Sequence, residues 1–363
     1  MKVLHVIARM NVGGTARYLE TLSHGLTAVG IQNVIATGYV QSGEIEDECV
    51  NSLPIRRIRH LGRAISPLAD LRARNELKQV IIDFQPDVIH THTFKAGLIG
   101  RSIRFGGRRV HTYHGHVLSD GSLSRWQVAL VRFSEGFLAG RTDVLISVGE
   151  TVAQELRDLG IGRNSKWQSI GPGVEKPLLP SRQQALQNLG LNEDQVRVGW
   201  LGRMVGVKDP ALALDVARKM PELEFLLAGG GELLESIRES APQNAKVLGW
   251  VDRNDLLAAT DVIILTSKSE GMPIAAIEAQ LVGLPVIAPN VGSLREVLSD
   301  GETGFLVDRS ANGFVGPLKQ LIEDASIRAR MGKMAHEHST VQFSIARLTK
   351  EHQALYLSLL DDI

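Results

Sequence analysis

The stretch from Asp261 to Ala288 limits the possible folds of this chain more than any other. Its opening run, Asp261-Val262-Ile263-Ile264-Leu265, shows no polar alternation and reads as a parallel strand buried on both faces. A loop follows and ends at Gly271, Pro273 suits the first turn of a helix, and Ala275 to Leu281 continues it. Gly283 and Pro285 close that helix before a second buried run, Pro285-Val286-Ile287-Ala288. The unit is strand, loop, helix, strand. Short apolar runs alternate with helical segments elsewhere too, at residues 3–8, 32–37, 88–90, 109–112, 144–147, 196–203, 225–228 and 247–251. Such alternation predicts doubly wound parallel sheets, whose ligands bind at the carboxyl ends of the strands.

With 363 residues the chain is long enough for two such domains, and 36 glycines suit many tight strand-to-helix turns. Ile170-Gly171-Pro172-Gly173-Val174 marks a crossing between them, so the expected division is 1–173, 174–340 and a terminal segment 341–363. Ile345, Leu348, His352, Leu355 and Leu359 repeat there at helical spacing. Net charge is formally zero, which gives no electrostatic case for a nucleic-acid partner. The halves differ, however: residues 1–173 carry an excess of six positive charges and the remainder six negative. A basic first half fits an anionic partner such as a lipid phosphate, and equally a solvated face with no partner. Cys49 is the only cysteine, so no intramolecular disulfide and no Cys-rich metal site is expected. No run approaches the roughly 18 apolar residues of a membrane span, and a cytosolic protein is expected.

Glu270 stands at the entrance of the helix in the organising unit and Glu278 one to two turns inside. Free N–H groups at such an entrance attract phosphate or hydroxyl oxygens, and Glu270 can accept sugar hydroxyl protons there. Eight residues span roughly 12 Å of helix, too far for a glycosidase carboxylate pair but suited to gripping two parts of one extended ligand. Read alone, the pair fits equally a surface glutamate and a helix glutamate that solvates its face. Arg203 and Lys208 lie five apart in the glycine-rich turn after residues 196–201, placed to embrace one anion such as a diphosphate. Gly13 and Gly14 form another strand-to-helix turn at which backbone N–H groups can meet an anion. The turn is not Gly-x-Gly-x-x-Gly, and no acidic residue ends a clear second strand, which argues against a nicotinamide site. His90, His92, His111, His114 and His116 cluster at strand ends. No Asp, Glu or Cys accompanies them and strand alternation splits neighbours onto opposite faces, so no metal site is expected; His90, His92 and His111 read as hydrogen-bonded interior residues.

The order Gly-Arg then Lys at 202–208, Glu-x7-Glu at 270–278 and Gly-x-x-Gly-Phe-Leu-Val at 301–307 resembles the retaining nucleotide-sugar glycosyltransferases of family 4. The resemblance covers nearly the whole chain and is most specific in the second half. It implies the GT-B fold, two Rossmann-like domains facing a central cleft, with the last helix returning to the first domain. It further implies a donor site of Gly13, Gly14, Arg203, Lys208, Val251, Glu270, Gly271, Met272, Pro273 and Glu278. Among these Gly14, Arg203 and Lys208 would face the diphosphate, Val251 would line the base through its backbone, and Glu278 would hold the ribose. His114, before Gly115, is similar to the histidine that faces the donor sugar, so His114, Arg203, Lys208 and Glu270 are the candidate catalytic residues. No cofactor beyond the nucleotide-diphosphate sugar is implied, and no Asp-x-Asp motif is present to hold a metal ion.

The expected activity is therefore retaining transfer of a hexose or N-acetylhexosamine, from a UDP-sugar by preference, to a glycan or lipid-linked acceptor. Thr93-Phe94-Lys95-Ala96-Gly97 with His114-Gly115-His116 looks like transferases that build bacterial surface polysaccharides. Two alternatives stand beside this: a sugar-nucleotide 2-epimerase of the same fold, and a non-catalytic nucleotide-sugar-binding module. The segment from Ser122 to Ala139, with Trp126, Leu130, Val131, Phe133, Phe137 and Leu138, reads mainly as a helix packed on the sheet. A membrane-facing patch is the second reading, with Arg56, Arg57, Arg59, Arg101, Arg104, Arg108 and Arg109 as accompanying charge. That reading places the protein at the inner face of the cytoplasmic membrane.

Overall fold

The computed structural model describes every residue except 63, 65, 116, 117, 119–123, 193, 194, 362 and 363, so His116 and Ser122 lie outside the described residues. The chain divides into two compact units, one of Met1–Val174 with Phe343–Ile363 and one of Glu175–Gln342.

Unit 1 holds strands β1 (Lys2–Ile7), β2 (Gln32–Thr37), β3 (Ile55–Arg57), β4 (Val88–His92), β5 (Arg108–Tyr113), β6 (Val144–Ser147) and β7 (Trp167–Ser169). Helices α1 (Gly14–Ala28), α2 (Pro67–Phe84), α3 (Thr93–Ser102), α4 (Arg125–Ala139) and α5 (Glu150–Asp158) alternate with them. The sheet is parallel, in the order β3-β2-β1-β4-β5-β6-β7. Strand β1 divides its side chains between two cores. Leu4 and Val6 pack with Leu77 and Ile99, while Ile7 packs with Leu19 and Ile35.

Unit 2 repeats the plan with β8 (Arg197–Leu201), β9 (Glu224–Ala228), β10 (Ala245–Gly249), β11 (Val262–Ile264), β12 (Val286–Pro289) and β13 (Gly304–Val307). Its helices are α6 (Arg182–Leu189), α7 (Pro210–Lys219), α8 (Leu234–Ser240), α9 (Arg253–Ala259), α10 (Ile274–Leu281), α11 (Leu294–Val297), α12 (Ala311–Glu323) and α13 (Ala325–Gln342). Here the parallel order is β10-β9-β8-β11-β12-β13. In both sheets the strand order thus reverses at the seam between the first and fourth strands.

The last helix, α14 (Ile345–Asp361), belongs to unit 1 and packs on α1. A β-carbon on Gly25 would stand 2.0 Å from the Thr349 hydroxyl, so the absent side chain lets the two helices approach. The backbone crossings into and out of unit 2 adjoin: the Val174 N–H donates to the Phe343 carbonyl at 2.8 Å.

Helix α4 departs from the expectation of a helix whose apolar residues pack mainly on the sheet. Val131 and Leu138 are buried, but Trp126, Leu130, Phe133 and Phe137 are 68%, 54%, 76% and 54% exposed. Beneath them the helix is anchored by charge. Arg101 donates to both oxygens of Glu135 at 2.8 and 2.7 Å, and the Tyr113 hydroxyl donates to the same carboxylate at 2.6 Å. Arg101 is therefore an interior residue. Arg57 pairs with Glu46, Arg108 with Asp143, and Arg109 donates to the Ile103 and Phe105 carbonyls, so these also serve the fold. Lys95 is buried against Asp70.

Removing one partner of such a buried pair leaves an uncompensated charge in a low dielectric. Glu135→Ala is expected to cost about 3–5 kcal/mol in urea unfolding, while Arg101→Met with Glu135→Leu recovers most of it. A loss below about 1 kcal/mol, the surface-pair range, would contradict the burial.

Candidate active site

In sheets of this order, ligands bind beyond the carboxyl ends of the strands where the order reverses. In unit 2 that point lies between β8 and β11, and two expected site residues meet there. Lys208, from the loop after β8, places its Nζ 2.6 and 2.7 Å from the carboxylate oxygens of Glu270, from the loop after β11. The Ser267 hydroxyl donates to Glu270 Oε1 at 2.5 Å. The glutamate side chain is 7% exposed and the lysine side chain 25%.

Backbone bonds hold the two loops to each other. The Lys268 N–H donates to the Val207 carbonyl at 2.8 Å. Trp200 Nε1 donates to the Thr266 hydroxyl at 2.9 Å, and that hydroxyl contacts the Lys208 and Asp209 carbonyls at 2.9 and 2.8 Å. A third loop presses on Glu270 from the end of β12. Gly292 has φ +52°, and a β-carbon there would stand 1.8 Å from the Glu270 carbonyl oxygen, so only glycine fits.

Arg203 is exposed on the same loop as Lys208. The backbone of that loop is set by its neighbour. Met204 N–H donates to the Gly230 carbonyl at 2.8 Å, and a β-carbon on Gly229 would meet the Gly202 carbonyl oxygen at 1.9 Å. Gly271 and Met272 lead from Glu270 into α10. Pro273 is the residue before that helix and not part of its first turn, and no side chain caps it. Glu278, buried inside α10, lies 3.3 Å from the Arg253 guanidinium. Val251 packs half-buried against the cluster of Leu226, Ala228 and Leu256.

Unit 1 supplies the other expected residues. Gly13, with φ +152°, precedes α1 without a side-chain cap, and Gly14 is the first residue of that helix. One turn along, the Tyr18 ring stands edge-on to His114, with ring centres 4.7 Å apart at 85°. His114 follows β5 and is partly exposed. Register explains the histidines beneath it. His5 of β1 lies opposite His90 of β4, and His92 is two residues farther along the same face. His90 donates to or accepts from the Tyr356 and Thr112 hydroxyls, both at 2.6 Å. His92 Nε2 lies 3.1 Å from His5 Nδ1, and His92 Nδ1 lies 3.1 Å from His114 Nε2. His352 of α14 meets the Tyr18 hydroxyl at 3.1 Å.

One nitrogen from each of His5, His90 and His92 falls within 4.8 Å of the others, a grouping of the size that holds a metal ion. Both nitrogens of His90 are bonded to hydroxyls and both of His92 to neighbouring rings, while His5 Nε2 has no partner among the described residues. Tyr18, His5, His352, Ser267, Arg253 and Gly292 were not among the expected site residues. Only His5 had a usable signal, as a histidine in a first strand that must neighbour the His90-x-His92 strand.

Residues 181–338 match the family model of glycosyl transferases group 1, and residues 13–173 match that of a glycosyl transferase 4-like domain. The UDP-Gal:alpha-D-GlcNAc-diphosphoundecaprenol alpha-1,3-galactosyltransferase of Escherichia coli is 27% identical over 88% of this chain and 87% of its own length. The D-inositol 3-phosphate glycosyltransferase of Mycolicibacterium smegmatis is 30% identical over 76% of this chain and 68% of its own length. Among solved structures, Anabaena HepE in complex with UDP-glucose superposes with a TM-score of 0.82 at 20% identity, covering all of both chains.

Burial gives unit 1 a sensitivity to acid. Desolvation first, then neighbouring rings, pushes His5 down to about 3 and holds His90 and His92 well below the ordinary histidine range. Desolvation, then Arg101, does the same to His111, and burial lowers His352 to about 4 despite its bond to the Leu348 carbonyl. Above the unfolded value of about 6.5 these rings are neutral in both states and cost nothing. Below it the unfolded chain takes up protons that the folded unit refuses, so stability falls by about 1.4 kcal/mol per pH unit for each ring. Thermal unfolding followed through Trp126 and Trp167 is expected to move to lower temperature from pH 7 to pH 5. A melting point constant across that interval would contradict the neutral core.

Proposed function

The chain belongs to the glycosyl transferases group 1 family and is a GT-B glycosyltransferase, and from that premise we propose retaining transfer of a hexose or N-acetylhexosamine from a UDP-sugar to a lipid-linked hydroxyl acceptor. The observation that carries the reading is the Lys208–Glu270 pair at the reversal point of the unit 2 sheet. Relatives support the choice of donor and acceptor: one is named for UDP-Gal and a diphosphoundecaprenol-linked sugar, and HepE is solved with UDP-glucose.

As the glycosidic bond breaks, negative charge collects on the departing diphosphate. Fixed cations and N–H dipoles aimed there lower the barrier because they need no reorganisation. In this reading Arg203, Lys208, the Gly13–Gly14 turn and the amides of Gly271 and Met272 provide that field. The arriving diphosphate competes with Glu270 for Lys208, and the carboxylate turns to a hydroxyl of the donor sugar. Glu278 takes the ribose hydroxyls, Val251 borders the base, and His114 faces the sugar ring. The acceptor oxygen attacks the anomeric carbon on the face the diphosphate leaves, and a diphosphate oxygen takes the acceptor proton. Retention follows without a protein nucleophile. No metal or cofactor is assigned, because side-chain cations and amides meet the phosphates.

The exposed face of α4 supports an acceptor met at a membrane surface. Trp126, Leu130, Phe133 and Phe137 form one stripe at helical spacing, bordered by exposed Arg125, Arg132 and Arg141, while the helix's one acid, Glu135, is buried. An apolar stripe with exposed arginines beside it fits an anionic bilayer surface. No helix among the described residues is long and apolar enough to cross a membrane. The reading therefore has the protein resting on the cytoplasmic face, where a lipid-linked sugar is presented.

Arg203→Ala and Lys208→Ala are each expected to lower kcat at least about tenfold while leaving the melting point near that of the wild type. Near-normal turnover in both would remove the mechanism. In flotation with vesicles containing anionic lipid at low salt, the protein is expected to rise with the vesicles, less so at high salt. Trp126→Ala with Phe133→Asp should abolish that binding; flotation unaffected by the pair would dismiss α4 as the contact.

A further inference from the structure

The hydrogen bonds beneath His114 carry an inference that rests on its assignment to the donor sugar and goes one step deeper. His5, His92 and His114 form a line of two bonds, each 3.1 Å long. A neutral imidazole has one N–H and one bare nitrogen. His92 is fully buried and kept neutral by desolvation, so it must donate on one side and accept on the other. The two bonds therefore run in the same direction, and there are only two choices.

If protons point inward from His114, the last one sits on His5 Nε2, which is buried with no partner among the described residues. If they point outward, His5 Nε2 is a bare nitrogen, and the surplus N–H appears at the far end, on His114 Nδ1. A buried N–H left without an acceptor is rarer in folded proteins than a bare buried acceptor, and this favours the outward direction. His352 Nδ1 faces the Leu348 carbonyl at 3.0 Å and must carry the proton. Its Nε2 accepts from Tyr18, whose ring in turn rests against His114.

We infer that His5 and His92 are positioning residues that hold His114 in its Nδ1–H tautomer, so that the ring meets its ligand as a hydrogen-bond donor. Nε2 of His114 is occupied by His92, and Nδ1 already holds a proton. The ring cannot then act as a base toward the acceptor. It offers an N–H to an oxygen lone pair, the chemistry of a sugar hydroxyl acting as acceptor. The transfer step assigned above takes the acceptor's proton onto the diphosphate, and a donor-only His114 is compatible with it.

The test is long-range proton–nitrogen correlation on the full chain labelled with 15N-histidine at pH 7.5, with His114→Gln identifying the signal. The expected spectrum shows a protonated Nδ1 and a bare Nε2 at His114. A protonated Nε2 in the wild-type protein overturns the inference with no variant needed. In His92→Leu the His114 signal should shift toward the other tautomer and kcat should fall at least about tenfold, with the donor KM changed less than kcat. His92→Asn, whose amide N–H can replace that of Nδ1, should restore both tautomer and turnover. An unchanged tautomer in a folded His92→Leu protein also overturns it. The spectrum requires no substrate, so it is separate from the assignment of His114: full activity in His114→Gln would sink that assignment and leave the tautomer result standing.

Discussion

The ion pair between Lys208 and Glu270 is the contact on which the rest of unit 2 depends. A carboxylate only 7% exposed is costly to bury unless its oxygens are engaged, and here the ammonium and the Ser267 hydroxyl engage them. Around the pair the chain has few choices. Thr266 binds the carbonyls at the end of the Lys208 loop, and Gly292 admits the Glu270 carbonyl where a side chain would collide. The pair is asymmetric in exposure. The lysine side chain is the more exposed member at 25%, and the carboxylate is the more buried.

Unit 1 is built on the opposite principle. Where β1, β4 and β5 meet α1 and α14, its floor holds His5, His90, His92 and His352 with no carboxylate partner among the described residues. Burial keeps the rings neutral, and they order themselves through directional hydrogen bonds with Tyr18, Tyr356 and Thr112. Neutral dipoles of this kind do not compete for phosphate. They set the angle and tautomer of one partly exposed ring, His114, at the end of the line.

Much of this was legible from the chain. Unbroken apolar runs such as Val262–Ile264 declare strands buried on both faces, and glycine turns between strand and helix declare where ligands approach. Short elements were the hardest to read. Ile55–Arg57 reads as part of a basic run, yet it is the edge strand β3, with Arg57 pairing Glu46. Trp167–Ser169 is too short to show alternation and gains its strand form only from β6. In the site, Glu270 and Lys208 could each be named, but not their contact. They are 62 residues apart, and only the adjacency of β8 and β11 brings them together. The exposed stripe on α4 was equally hidden, since a helix with Trp126, Leu130, Phe133 and Phe137 has the same spacing whether it faces a core or solvent.

The central claim is that the buried glutamate restrains the phosphate-binding cation until a nucleoside diphosphate takes its place. Titration calorimetry of UDP into Glu270→Gln protein tests it most directly. Because the amide preserves shape and frees the ammonium, the account predicts UDP binding at least as tight as in the wild type, with sugar transfer lost. UDP affinity reduced about tenfold or more, as expected for loss of Lys208 itself, would contradict it.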